Sequence, residues 1–192
     1  MASSLSDDDV RKFLSYLYFG DVQDEIDASI RRAYRDFSRT LHGLGKYVDR
    51  SRSKAAAREV LRDSIRELTA SATSRQDEFD AWHKNTCDEL RASFGDFHVY
   101  YGQAQKWINM SLKYLFILDR SRIAPYWDYC HVPVDNILLG KIAGHEPPRF
   151  GCWWSRIDDY QRYRHFQDWF RNEFPGAPMD NEWRLWLGAE DA

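Results

Sequence analysis

The sequence predicts an all-α fold, a compact multi-helix domain over 1–192. Three observations carry this. Apolar residues recur at steps of three and four through most of the first 118 positions. Only ten glycines and six prolines are present, too few to punctuate a sandwich or barrel of many short strands. Hydrophobic residues make up 43% of the chain and aromatics 16%, enough to fill a core, and this excludes global disorder.

The elements follow in order. Ser6 before Asp7, Asp8 and Asp9 reads as a capped helix start, and Val10, Phe13, Leu14 and Leu17 continue at helical spacing to Gly20. A second helix is expected from Asp21, with the stripe Val22, Ile26, Ile30, Ala33, Phe37, Leu41 and Leu44, closed by Gly43 and Gly45. The basic stretch 46–54 reads as a connector, 55–70 as a third helix, and 71–74 as punctuation. Phe79, Trp82, Leu90 and Phe94 mark a fourth helix, and 99–118 a fifth, strongly apolar one. All six prolines lie from Pro125 onward, so shorter helices are expected there, after Asp135, over 155–174 and over 180–187. Residues 1–98 are expected to pack as N-terminal helices on a catalytic part, 99–192.

Charge and composition narrow the function. A net charge of -3 and a pI near 6.1 argue against a protein that coats nucleic acid by charge alone. No run of 18 apolar residues exists, so no membrane span is expected. The acidic N-terminus does not read as a signal peptide. Cys87, Cys130 and Cys152, odd in number and far apart, fit a reducing cytoplasm.

The helix at 99–118 is the most informative element. Ala104, Trp107, Ile108, Leu112, Leu115 and Leu118 cover one face, and Gly102, Lys106, Asn109 and Lys113 lie opposite. Lys106 and Lys113 are two turns apart, in a chain with seven lysines against twenty arginines. That polar side is either a solvated surface or the wall of a cleft. In a cleft, a lysine can serve as a nucleophile, which an arginine cannot. Downstream, Cys130-His131-Val132-Pro133-Val134-Asp135 places Asp135 where it caps the next helix.

A helix of the type Gln-Lys-x6-Lys followed by Pro-Val-Asp at a helix start resembles the core of the helix-hairpin-helix DNA glycosylase superfamily, closest to the archaeal 8-oxoguanine glycosylase type. The resemblance implies that Lys106 attacks the sugar C1′, that Lys113 lines the base pocket and that Asp135 supports the developing charge. It further implies that Asp180, with Trp183 or Trp186, holds and stacks the extruded base, and that neither metal nor cofactor takes part. The implied partner is nucleic acid, DNA before RNA, carrying a modified purine, and the implied setting includes bacterial anti-phage defence. Two features depart from the family: no Leu-Pro-Gly-x-Gly hairpin is present, and the chain is acidic.

Two other readings compete. Arg35-Asp36-x5-His42 resembles the Arg-polar-x5-His signature of the HEPN ribonucleases, which implies RNA cleavage by Arg35 and His42 acting from one helix face. A non-catalytic helical adaptor with a protein partner is the other. His83 and Cys87, four apart, suit two metal ligands, but no second pair completes a site. The basic group Arg50, Arg52, Lys54 and Arg58 reads as a solvated loop.

Overall fold

The computed structural model describes residues 5–71 and 75–188. Among them, nine α-helices and five short 3₁₀ turns make up the regular structure, with no strand. The expected all-α class is what the chain adopts. The readings that fall on the first four residues and on 72–74 lie outside the described residues.

Helix α1 (Asp7–Phe19) starts as the sequence indicates. Ser6 Oγ accepts from the Asp9 amide and the Asp9 carboxylate accepts from the Ser6 amide, a reciprocal capping box. Its apolar stripe is not core, however. Val10, Phe13, Leu14 and Leu17 are exposed, and none of its residues is buried. The helix is held at its C-terminal end, where Tyr18 shares a 2.9 Å hydrogen bond with Tyr114 and its ring lies 4.0 Å from the Arg32 guanidinium.

Helix α2 (Glu25–Phe37) is shorter at both ends than its stripe predicts. Asp24 takes the N-cap, its carboxylate accepting from the Asp27 amide. At the other end Thr40 Oγ1 donates to the Phe37 carbonyl, and the chain tightens into the 3₁₀ turn Ser38–Thr40. The stripe still marks the core: Ile26, Ile30, Ala33, Phe37, Leu41 and Leu44 are all buried. Helix α3 (Arg50–Ala70) takes in half of the expected basic connector, with Ser53, Ala57, Leu61, Ile65 and Leu68 facing inward. It packs on α4 (Gln76–Ala92).

Helix α5 (Tyr101–Leu118) is the axis of the fold. It contacts α2 most extensively, and also α4, α6 (Arg120–Ile123), the turn Trp154–Arg156 and α8 (Tyr160–Glu173). It is buried nearly all round. Its polar side, Gly102, Lys106, Asn109 and Lys113, faces protein and not water. Helix α8 begins later than expected because the Asp159 carboxylate caps it at the amides of Gln161 and Arg162. Asp135 caps the short α7 (Asn136–Lys141), and α9 (Pro178–Leu187) lies against α7 and the turn Ala124–Tyr129. One cluster of buried side chains runs from Ile26 on α2 to Leu185 on α9.

Gly102 is the tightest approach in the fold. A Cβ there would fall well inside contact of the Trp154 carbonyl oxygen, and the Gly102 amide donates to the Ile157 carbonyl at 3.0 Å. Gly102→Ala must therefore push the 154–157 turn off α5. The expected cost is about 1–3 kcal/mol, as for other overpacked sites. A denaturant titration reads it as a lower midpoint, and an unchanged midpoint would show that the turn yields freely.

Candidate functional site

The segment after Tyr129, residues 130–134, has no strand beside it among the described residues. Two glutamine side chains stand in for one. Gln167 accepts from the Val132 amide and donates to its carbonyl, both at 2.9 Å. Gln105 does the same for Val134, at 3.1 and 2.9 Å. The backbone of a buried segment must find partners, and here α5 and α8 supply them from carboxamides. This clamps Pro133 and Val134 and so fixes where Asp135 begins α7.

Asp135 then uses both oxygens. Oδ1 accepts from the Leu138 amide at 2.8 Å, and Oδ2 accepts from Lys106 Nζ at 2.6 Å. The pair is nearly closed off, with side-chain exposures of 5% for Lys106 and 14% for Asp135. The cap and the lysine partner, alternative roles for this carboxylate in the sequence, coexist.

Lys113, two turns along, meets Glu182 of α9 at 2.5 Å, at exposures of 12% and 2%. Burial holds the Lys113 ammonium below its usual range, and burial raises the Glu182 carboxyl above its own. Each shift opposes the charged form, so desolvation outweighs the mutual attraction. Glu182 also feels Lys106 and Asp135, which makes the two pairs one electrostatic group. The Lys113 ammonium lies 5.7 Å from the Trp183 ring and 5.4 Å from that of Trp186. With Ile117 and Leu187 these side chains line an open apolar hollow of about 230 Å³.

Asp180 does not join the lysines. Its carboxylate accepts from Trp127 Nε1 at 2.7 Å, and Trp127 in turn stacks on Phe116 at 3.8 Å. Asp180 and Glu182 are two residues apart on one helix and so point to different sides. Glu182, and not Asp180, is the acid that meets a lysine. Its signal is present in the sequence: Met179, Glu182 and Leu185 form the buried stripe of α9, and a carboxylate within an apolar stripe needs a partner. Trp183 packs edge-on against Phe116 and Trp127, and its buried Nε1 has no acceptor among the described residues.

Arg35 and His42 do not share a helix face. Helix α2 ends at Phe37, and His42 sits in the turn beyond it, lining a cavity with Arg39 and not Arg35. Thr40 and Gly43 (φ 90°) break the periodicity on which that pairing depended. His83 lies 3.8 Å from Cys87, but its ring nitrogens are taken by Tyr160 and Asn109. Among the described residues no group of three His, Cys, Asp or Glu is placed to hold a metal ion.

A second polar group was not foreseen. His131 Nε2 lies 2.7 Å from the Asp80 carboxylate, which also pairs with Arg164, and His131 Nδ1 lies 2.9 Å from Tyr163 Oη. An acid, an imidazole and a hydroxyl in a row suggest nucleophilic chemistry. Here His131 and Tyr163 are fully buried, and the row ties α4 and α8 to the clamped segment.

Set against known proteins, the chain matches no protein family, and no curated protein or solved structure is similar to it.

The buried pair of Lys113 and Glu182 makes a testable energetic statement. Glu182→Leu strands an ammonium and is expected to cost about 3–5 kcal/mol, whereas Lys113→Met with Glu182→Leu should return stability to near the starting value or above it. Denaturant midpoints of the two singles and the double decide it. A double variant as unstable as the single would show that the pair itself holds α9 in place.

Proposed function

We propose that the chain handles a base in nucleic acid in the manner of a DNA N-glycosylase/lyase, with Lys106 as the amine nucleophile and Asp135 as its proton acceptor. The observation that carries this is the buried 2.6 Å pair of Lys106 and Asp135, with the carboxylate fixed by its cap on α7. Buried ion pairs contribute little net stability against apolar residues of similar size. Two adjoining pairs on one helix are therefore poorly explained by stability alone, and the shifted groups of the second pair, Lys113 and Glu182, are of a kind that gathers at functional sites.

The chemistry is balanced without a metal. Lys106 Nζ, having given its proton to Asp135, forms a bond to C1′ as the glycosidic C–N bond breaks, and the base departs with the electron pair and takes up a proton. The sugar ring then opens, its oxygen gaining a proton, and leaves an imine between Lys106 and C1′. The apolar hollow beside Lys113, floored by Trp183 and Trp186, has room for one planar ring system and an ammonium at its wall to read a carbonyl edge. Lys106 is closed off in the structure, so this reading requires the site to open around the incoming sugar. The test is covalent: an 8-oxoguanine oligonucleotide with borohydride should yield a protein–DNA adduct, and persistent failure to trap any strand or abasic site overturns the reading.

A second reading rests on a different observation. The exposed face of α1, with Val10, Phe13, Leu14 and Leu17, is an apolar stripe on a soundly capped helix, as suits a helical adaptor with a protein partner. An adaptor needs no amine at position 106, so the trapping experiment separates the two.

A further inference from the structure

A concavity of about 680 Å³ opens at the N-terminal end of α5, away from the hollow beside Lys113. Gln103 lines one and Lys113 the other, so the two lie about 15 Å apart along the helix axis at 1.5 Å per residue. Its volume falls within the range of about 300–1,000 Å³ usual for small-molecule sites.

Its charge is opposite to that of the chain. The protein carries a net -3, yet Arg39 and Arg156 both line this cavity, and neither has a carboxylate partner among the described residues. The acid in the wall, Asp36, is already engaged: Oδ1 accepts from Arg32 and Oδ2 from Tyr114, each at 2.6 Å. His42 and His98 add two imidazoles to the rim. At the lip stands Trp153, 71% exposed, a large indole left in water on the same cavity as the two arginines. The Asn136 side chain also lines the cavity and has no hydrogen-bond partner among the described residues.

This lip is mounted rigidly. The Arg156 amide donates to the Trp153 carbonyl at 2.8 Å, and the turn that follows is seated on Gly102, where α5 has no Cβ to hold it off. Two guanidinium groups without a carboxylate partner favour a phosphate. An exposed indole face favours stacking by a base, and a free carboxamide offers both a donor and an acceptor to a base edge.

We propose that this cavity binds a nucleotide, its phosphate between Arg39 and Arg156 and its base on Trp153. The inference goes beyond the covalent chemistry of Lys106 and does not depend on it. The phosphate belongs either to a free nucleotide or to the end of a strand.

Titration calorimetry tests it with deoxyguanosine 5′-monophosphate, deoxyguanosine, inorganic phosphate, and a short single strand with and without a 5′-phosphate. The monophosphate or the 5′-phosphorylated strand should bind at least about tenfold more tightly than the nucleoside or phosphate alone, a difference of about 1.4 kcal/mol. Arg39→Gln with Arg156→Gln, and separately Trp153→Ala, should each weaken binding by about tenfold or more. All three positions are exposed, so the fold should tolerate these changes. Binding of the monophosphate alone assigns a free nucleotide, and binding of the phosphorylated strand alone assigns a strand end; both support the site. Equal affinity for nucleoside and nucleotide, binding unaffected by the arginine or tryptophan variants, or no saturable binding overturns it. The cavity shares no lining residue with the Lys106–Asp135 pair, so failure of the covalent reading leaves this result standing.

Discussion

Lys106→Gln is expected to abolish the borohydride-trapped adduct while leaving the fold intact. An imine needs a primary amine, and a carboxamide cannot form one, so the loss should be complete. The fold should survive because the replacement keeps a donor at the right place. The introduced carboxamide can still offer an N–H to Asp135 Oδ2, whose other oxygen remains on the Leu138 amide. Lys106→Ala would confuse the matter, since it leaves a buried carboxylate with neither a cation nor a side-chain donor in its place, at a cost of about 3–5 kcal/mol. Asp135→Asn keeps a cap acceptor for Leu138 but cannot take the proton, so trapping should slow by a factor of about 10²–10⁴, the usual contribution of a positioned base. Lys113→Gln should trap normally on an abasic site, where no base needs holding, and poorly on a base-bearing strand. If Lys113→Gln blocks abasic-site trapping and Lys106→Gln does not, the nucleophile lies two turns further along α5. Unchanged circular dichroism in each variant is the necessary control.

How far the sequence foretold this arrangement differs from residue to residue. Helical periodicity was legible wherever one face is buried, as on α2 and α4, because burial selects the apolar positions directly. It misled at α1, whose stripe of Val10, Phe13, Leu14 and Leu17 stays exposed. Periodicity reports an amphipathic helix and not what covers it. The inward polar side of α5 could be read as a stripe but not as buried, since a solvated face and a cleft wall share one pattern. The capping role of Asp135 was local and legible. Its contact with Lys106 depends on Gln105 and Gln167 gripping the backbone of 132–134, an arrangement between distant segments that spacing does not reveal. Glu182 is the opposite case. Its place in an apolar stripe is visible in the sequence, but Asp180, two residues earlier, is an equally plain acid on the same helix.

Stability is expected to fall steeply as the solution is made acidic, and His83 is the chief single cause. Its ring is fully buried, with Nδ1 2.8 Å from Tyr160 Oη and Nε2 3.0 Å from Asn109 Oδ1. A neutral imidazole satisfies both: Nε2–H donates to Asn109, and Nδ1 accepts from Tyr160. Among the described residues no carboxylate is bonded to this ring. Burial first, and then the neighbouring His131, hold its pKa well below the ordinary 6.5. The folded protein therefore refuses a proton that the unfolded chain accepts below pH 6.5. His83 thus contributes stability above that pH and loses it as the pH falls, by about 1.4 kcal/mol per pH unit. His131 is lowered in the same direction, again by burial, and adds a loss of the same sign. Glu182 works the other way, because a carboxyl raised above 4.5 by burial stabilises the fold as it takes up its proton. It offsets at most one proton, so the two histidines leave a net loss. The variant that isolates His83 is His83→Gln, whose carboxamide can donate to Asn109 and accept from Tyr160 but does not titrate. Urea titrations at about pH 7 and about pH 5 should show the unaltered protein losing about 2 kcal/mol more than His83→Gln between the two. Equal losses in the two proteins would mean that the His83 ring carries its charge inside the fold.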